Sequence, residues 1–329
     1  KPDLQLFDKK LYEVNPDDKV AIARAAAEEV LGKDERIISV DSSYSDGEGS
    51  SYRLISNGFE GESKSTWFSV SASVSIKGEG EARPQDYWYD SALFYDKLTK
   101  TGIGAKALER VLRKLGQKKA KSGKYTMVVD PMNVGNLLSP MLSALYGSAL
   151  QQKNSFLMDK LDTKVASALF TLREEPHAIG ANGSRYFDNE GVATEPRTVF
   201  DKGVLKTYFI DTYNGKKMDI APTISAPSRL ILTPGDKDLN GLVADIKQGI
   251  LVTGFNGGNS NSSTGDFSYG IEGFLIEDGK LTQPVNEMNV TGNMVTLWNS
   301  LVAVGNDPQP NRSWQIPSLV FEGVDFSGL

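Results

Sequence analysis

Cysteine is absent from the 329-residue sequence, and histidine occurs once, at position 177. Without a thiol there is no disulfide framework, no thiolate metal site and no cysteine nucleophile, whatever the fold. A single imidazole also narrows the hydrolytic chemistry. A Ser–His–Asp mechanism would have to run through His177, yet the chain holds no Gly-x-Ser-x-Gly elbow and no Ser-x-x-Lys pair to go with it. A surface-loop histidine is the plainer reading. A zinc site with one His and no Cys would need carboxylates for its remaining ligands, a set better suited to magnesium, calcium or manganese. Long apolar runs are missing as well: stretches such as Leu301-Val302-Ala303-Val304 are far shorter than a membrane span, so no membrane partner is expected. The net charge of -6 removes any global attraction to nucleic acid or acidic lipid. The opening Lys1-Pro2-Asp3-Leu4 has neither Met nor an apolar signal region, which implies a start beyond this sequence. Together with the lack of cysteine, it makes the cytoplasm the expected compartment.

What is present reads as two domains' worth of ordinary globular sequence. Asn15-Pro16-Asp17-Asp18 supplies a cap, a preorganised proline and two acids ahead of Val20, Ile22, Ala26 and Val30, with Gly32 as terminator, and this predicts a helix. From Ile37 to Ile76 short β-rich stretches follow: Ile37–Val40, Tyr52–Ile55 and Trp67–Ile76. The last alternates apolar residues with serine, as a half-buried antiparallel strand does. Helical texture is expected from Asp90 to Leu115, with Ile103, Ala107, Val111 and Leu115 on one face. The basic run Gln117–Lys124 reads as the interdomain linker. Beyond it come a buried strand at Tyr125–Val129 and a helix opened by Asp130-Pro131 and carried through Leu137, Leu138, Leu142 and Leu145. Short strands and Gly-rich turns dominate from about Ala168, interrupted by a helix at Leu239, Leu242, Val243 and Ile246 that Gly249 closes. Gly257–Ser263 reads as turn. The expected fold class is α+β. An N-terminal α/β domain and helical linker region would span 1–123, and a larger, mostly antiparallel β domain with a few helices 124–329.

Several motifs fail on inspection. Asp236-x-Asp238-x-Asn240-Gly241 imitates the start of a calcium loop, but position twelve is Lys247 where a bidentate Glu is required. Gly116–Lys124 resembles a phosphate-binding loop with six residues between its glycines instead of four, and Tyr125 in place of Ser or Thr. The basic cluster Arg110, Arg113, Lys114, Lys118, Lys119, Lys121 and Lys124 is explained equally well as a solvated helix end and linker, so a nucleic-acid partner is not expected. Thr264-Gly265-Asp266-Phe267-Ser268, Thr291-Gly292-Asn293 and Gly305-Asn306-Asp307 each set a polar side chain beside a permissive glycine, the composition either of β-turns or of a convergent binding surface.

Tyr186-Phe187-Asp188-Asn189-Glu190-Gly191-Val192, Gly203-Val204-Leu205-Lys206, Asp211-Thr212-Tyr213, Pro227-Ser228-Arg229-Leu230, Thr264–Ser268 and Thr291–Asn293 occur in this order. In them the chain closely resembles the PmbA/TldE branch of the TldD/PmbA proteins, described as modulators of DNA gyrase and as metallopeptidase components. The resemblance implies an α/β domain, a largely β domain and dimeric assembly. The TldD branch carries a His-Glu-x-x-x-His zinc motif after a Leu-Leu pair, and a cysteine further on. Here Leu137-Leu138 is followed by Ser139 and Pro140, with Ala144 at the second histidine position. Neither a hydroxyl nor a methyl group replaces a zinc-bound imidazole, and proline cannot activate water. The resemblance therefore implies a chain with no catalytic residues, no metal and no cofactor of its own. Its partner would be a TldD-type paralogue, or a second copy, and its ligand an unfolded peptide held by Gly265, Asp266, Phe267 and Asn293. A stand-alone binding or regulatory protein of gyrase-modulator type, or a peptidase with another site, are the alternatives. Met218–Pro227 is shorter than the Gly-rich loop such proteins have there, which implies residues of the natural chain absent from this sequence.

Overall fold

The computed structural model describes residues 2–329, which divide into two compact units. One runs up to Gln117 and recruits Ala178–Asn182; the other comprises Lys118–His177 and Gly183–Leu329. The division falls a few residues ahead of the expected 123/124 boundary.

In the first unit, α1 (Pro16–Glu28) starts as its sequence dictates: the Asn15 side chain accepts the Asp18 N–H at 2.9 Å, and Pro16 is the first helical residue. Three antiparallel strands follow, β1 (Ile37–Leu54), β2 (Glu60–Ile76) and β3 (Gln85–Ala92), in the order β1-β2-β3. The alternation in β2 does what it predicts. Phe68, Val70, Ala72, Val74 and Ile76 are buried, and the serines between them face the other side. Two expectations are corrected. Ile37–Val40 and Tyr52–Ile55 are not separate strands, because pairing with β2 continues unbroken from Ser39 through Gly47 and Gly49 to Leu54. The Trp67 ring lies over Gly47, where a Cβ would stand 3.0 Å from it, and covers the gap the glycine leaves. Asp90–Ala92 is strand, paired with Phe68–Val70, and after one 3-10 turn at Tyr95–Lys97 the α-helix begins only with α2 (Ile103–Leu112). The Glu29 carboxylate accepts the N–H groups of Gly102, Gly104 and Ala105 at 2.7, 2.8 and 3.1 Å, supplying the anion this helix start lacks in its own first turn. Ile103, Ala107 and Val111 bury the expected face against β2 and β3.

The second unit contains β4 (Gly123–Val129), α3 (Gly135–Ser143), α4 (Gly147–Gln151), β5 (Leu172–Glu174), β6 (Arg197–Asp201), β7 (Val204–Leu205), α5 (Thr212–Met218), β8 (Leu230–Leu232) and α6 (Leu239–Ala244). There follow β9 (Gln248–Ser260), β10 (Asp266–Glu277), β11 (Lys280–Asn293), α7 (Met294–Asn299), β12 (Leu301–Val304), β13 (Trp314–Gln315) and β14 (Leu319–Ser327). Six strands form one sheet, β11-β10-β9-β4-β14-β12, and the last residues of β14 also pair with β11, so that five of the six close on themselves. A second sheet has the order β13-β8-β5-β6-β7. Trp298 is fully buried, with ring centroids of Phe170 and Phe321 at 4.5 and 5.5 Å and its Nε1 donating to the Leu137 carbonyl at 3.3 Å.

Here too some boundaries differ from expectation. The helix after Asp130-Pro131 starts at Gly135, after a turn in which Asp130 Oδ1 accepts the Asn133 N–H at 3.0 Å. Asp238 caps α6 by accepting the Gly241 N–H, and the helix ends at Ala244. Gly249 already lies in β9, where a Cβ would stand 2.6 Å from the Thr126 carbonyl of neighbouring β4. Gly257–Ser260 is strand rather than turn. The register against β10 slips there, with Gly257 and Gly258 at φ of +73° and +93°, so the glycines build a β-bulge.

Candidate functional site

The positions that would carry the zinc motif lie on α3. Ser139 is exposed, Pro140 interrupts the helix interior, and Ala144 caps its C-terminus with the methyl group buried in the main core. The Ala144 carbonyl accepts Ser155 Oγ at 2.6 Å. Neither the donor set nor the direction of residue 144 suits a metal. Among the described residues no three His, Asp or Glu side chains are grouped to hold one. His177 lies elsewhere and is occupied: its Nε2 is 3.0 Å from Thr194 Oγ1, whose own hydrogen goes to the Arg185 carbonyl, and its ring packs on Tyr186 with centroids 4.9 Å apart. The imidazole therefore donates in that contact.

Three of the four expected peptide-binding residues converge where β10 begins and β11 ends. Asp266 pairs directly with Asn293 across the two strands. Asn293 Nδ2 donates to Asp266 Oδ1 at 3.0 Å and to the Thr264 carbonyl at 2.8 Å, while its Oδ1 accepts the Val295 N–H and so caps α7. Thr264 Oγ1 donates to Asp266 Oδ2 at 2.8 Å. The amide of Asn293 and the hydroxyl of Thr264 together hold the exposed Asp266 carboxyl below the usual carboxylate range. Gly265, at φ +82°, leaves room for the Phe156 ring, 3.1 Å from where a Cβ would be. Phe267 does not join this surface: its ring is buried in the core. Consecutive strand residues face opposite sides, so a set containing both Asp266 and Phe267 could not share one face, and the alternation was the signal for that.

The turn between β9 and β10 adds residues that the sequence reading passed over. Asn261 Oδ1 accepts the N–H groups of Ser263 and Thr264, and Asn154 Oδ1 accepts Ser262 Oγ and Ser263 Oγ. The Ser262 carbonyl accepts the Phe156 N–H at 3.0 Å. Beside this knot, pairing of β9 with β4 stops at Val252. From Gly254 to Ser260, β9 bonds to β10 on one side, and among the described residues no backbone hydrogen bond reaches its other edge. Phe255, packed against Tyr269 with ring centroids 5.7 Å apart, is the one large side chain in this stretch.

The remaining motifs brace the fold. Buried Asp188 accepts the N–H groups of Glu190, Val192 and Ser225 at 2.8, 2.9 and 2.9 Å; burial alone would raise its pKa, but these bonds outweigh it and lower it. Glu190 Oε2 accepts the N–H and Oγ1 of Thr212, and Asp211 caps α5 through the Asn214 N–H. Buried Glu174 accepts both the N–H and the hydroxyl of Ser228 at 2.7 Å and pairs with Arg197 Nε at 3.0 Å.

The two-unit α+β fold and the order of these motifs define a class, and comparison with known families agrees. Residues 122–328 match the PmbA/TldA metallopeptidase C-terminal domain and residues 9–115 the PmbA/TldA metallopeptidase central domain. The chain belongs to the PmbA/TldD family. A Haemophilus influenzae protein named metalloprotease PmbA homolog is 30% identical over 335 residues, covering 99% of this chain and 73% of that protein. The crystal structure of a Bacteroides thetaiotaomicron protein, described as a candidate modulator of DNA gyrase, superposes with a TM-score of 0.99 at 72% identity, covering all of this chain and 75% of that one. TldE of Thermococcus kodakarensis, at 22% identity and a TM-score of 0.83 over 100% of this chain and 77% of its own, shares the fold. No helix among the described residues is long and apolar enough to cross a membrane.

Proposed function

We propose that this chain is the metal-free subunit of a TldD/TldE-type zinc metallopeptidase that degrades or processes unfolded peptides. In this reading it works in the cytoplasm, paired with a TldD-type paralogue or with a second copy, and positions peptide while the paralogue supplies the metal. The observation that carries the reading is the replacement of the motif by Ser139, Pro140 and Ala144, with Ala144 turned into the core, in a member of a metallopeptidase family. The peptide-positioning half is supported by the unpaired edge of β9 beside Gly265, Asp266 and Asn293. An extended peptide can add to such an edge through backbone hydrogen bonds, and Gly254, Gly257 and Gly258 keep side chains out of its way. Asp266 accepts from Asn293 and Thr264, which fix its carboxylate against the wall.

The test is cleavage of an unfolded peptide by the purified chain, by a paralogue bearing His-Glu-x-x-x-His, and by the pair, each with and without chelator. The chain alone should be inactive, the pair active and the chelator inhibitory, because the metal-bound water supplies the nucleophile. Chelator-insensitive cleavage by this chain alone would overturn the proposal. Equal activity of the paralogue with and without it would remove its role as partner and favour a stand-alone binding protein.

A further inference from the structure

The basic run leading into β4 has no part in that reading, and its geometry is specific. The backbone of Lys118–Ser122 is pinned from two sides. The Lys118 N–H donates to the Pro284 carbonyl at 3.3 Å, and Gln283 Nε2 donates to the carbonyls of Lys118 and Lys119 at 3.4 and 3.5 Å. On the other side, the Leu329 N–H donates to the Ala120 carbonyl at 2.9 Å, and the Ser122 N–H and hydroxyl both donate to the Leu329 carbonyl. A segment fixed in this way has lost its backbone entropy already, so a ligand need only order side chains. Lys118, Lys119 and Lys121 line a cavity of about 430 Å³, together with the half-buried Tyr125 and Leu275. Lys119 Nζ stands 3.9 Å from the exposed Glu287 carboxylate, while Lys118 and Lys121 form no ion pair among the described residues. Glu277 is the one carboxylate side chain in the lining and Lys119 is answered by Glu287, so the two unpaired ammonium groups of Lys118 and Lys121 less one carboxylate leave a charge of +1.

We propose that this cavity binds a phosphorylated small molecule, its phosphate held by Lys118 and Lys121 and its flat, weakly polar body resting on Tyr125 and Leu275. Lys118 and Lys121 offer two ammonium groups to one anion, and lysine recognises phosphate as a compact point charge. The volume lies in the range of small-ligand sites, and the chain's net charge of -6 opposes a long polyanion. The proposal is independent of the peptidase reading.

Calorimetric titration of the full chain with adenosine monophosphate and with inorganic phosphate tests it, using the unchanged protein and the K118Q/K121Q double variant. Both lysines are exposed, so the variant keeps the fold, which circular dichroism verifies. Adenosine monophosphate should bind the unchanged chain, and the double variant should weaken it about tenfold, at about threefold to fivefold per exposed ion pair. Inorganic phosphate should bind less tightly, for want of a body to seat. Equal affinity of the two proteins, or no binding of either probe at millimolar concentration, would overturn the proposal. So would an affinity for an oligonucleotide, lost in the same variant, with none for adenosine monophosphate.

Discussion

Placing an imidazole at position 144 separates two reasons for the missing metal site, absent ligands and obstructive packing. Ala144 is 1% exposed and shares the main core with Leu142, Leu145 and Leu157. Forcing the larger ring into that space costs about 1–3 kcal/mol in overpacking. Ring nitrogens stranded among apolar side chains cost about 1–3 kcal/mol more. At roughly 2–4 °C per kcal/mol for a unit of this size, A144H should lower the unfolding temperature by roughly 5–20 °C. S139H is the internal control: the site is exposed, so its effect should stay within about 0.5 kcal/mol. The assay is thermal unfolding followed by circular dichroism, with zinc content measured on the same samples. The triple variant S139H/P140E/A144H should unfold early and still carry no stoichiometric zinc. One equivalent of tightly held zinc in that variant, with an unchanged unfolding temperature, would refute the claim that packing at residue 144 blocks the site.

D188N tests the acid limb of stability. Because the folded pKa of Asp188 lies below its unfolded value, its contribution is complete above the ordinary carboxylate range near pH 4 and is lost as pH falls through the folded value. The variant should lose about 1.5–3 kcal/mol at pH 7 and much less at pH 3, read from urea midpoints; an equal loss at both would contradict the assignment. G258A should destabilise by more than about 1 kcal/mol, since φ is +93° and a Cβ would stand 2.1 Å from the Ser268 carbonyl. G49A, with nothing within 4 Å, should change little, and guanidinium unfolding of both variants compares them.

Local chemistry was legible where one signal dominated. The Asn15-Pro16 start of α1 and the serine alternation of β2 appear in the structure as the sequence implies. Asp90–Ala92 and Gly257–Ser260 were misread because their residues have weak β preference of their own; pairing with β2 and with β10 makes them strand. The start of α2 depends on Glu29, more than seventy positions away in the chain, and no local pattern could announce it. At the candidate site, the turn glycines and the Asp266–Asn293 pair were visible as composition. The contribution of Asn154 was not, since it meets Ser262 and Ser263 only in the folded chain. The open edge of β9 follows from where β4 stops, which is a matter of strand length and register.

The seam made by β14 has a consequence in time. This strand, late in the chain, bonds along one side to β4 and along the other first to β12 and then to β11. About 190 residues (319 − 129) separate the end of β4 from its start, and at synthesis rates of about 5–20 residues per second they take roughly 10–40 s to emerge. Until β9 is made β4 has no lateral neighbour, afterwards it has β9 alone, and the apolar interior of the larger unit cannot be sealed before β14 arrives. A nascent chain in this condition exposes apolar surface, and a pause in translation between β11 and β14 would lengthen its exposure to aggregation.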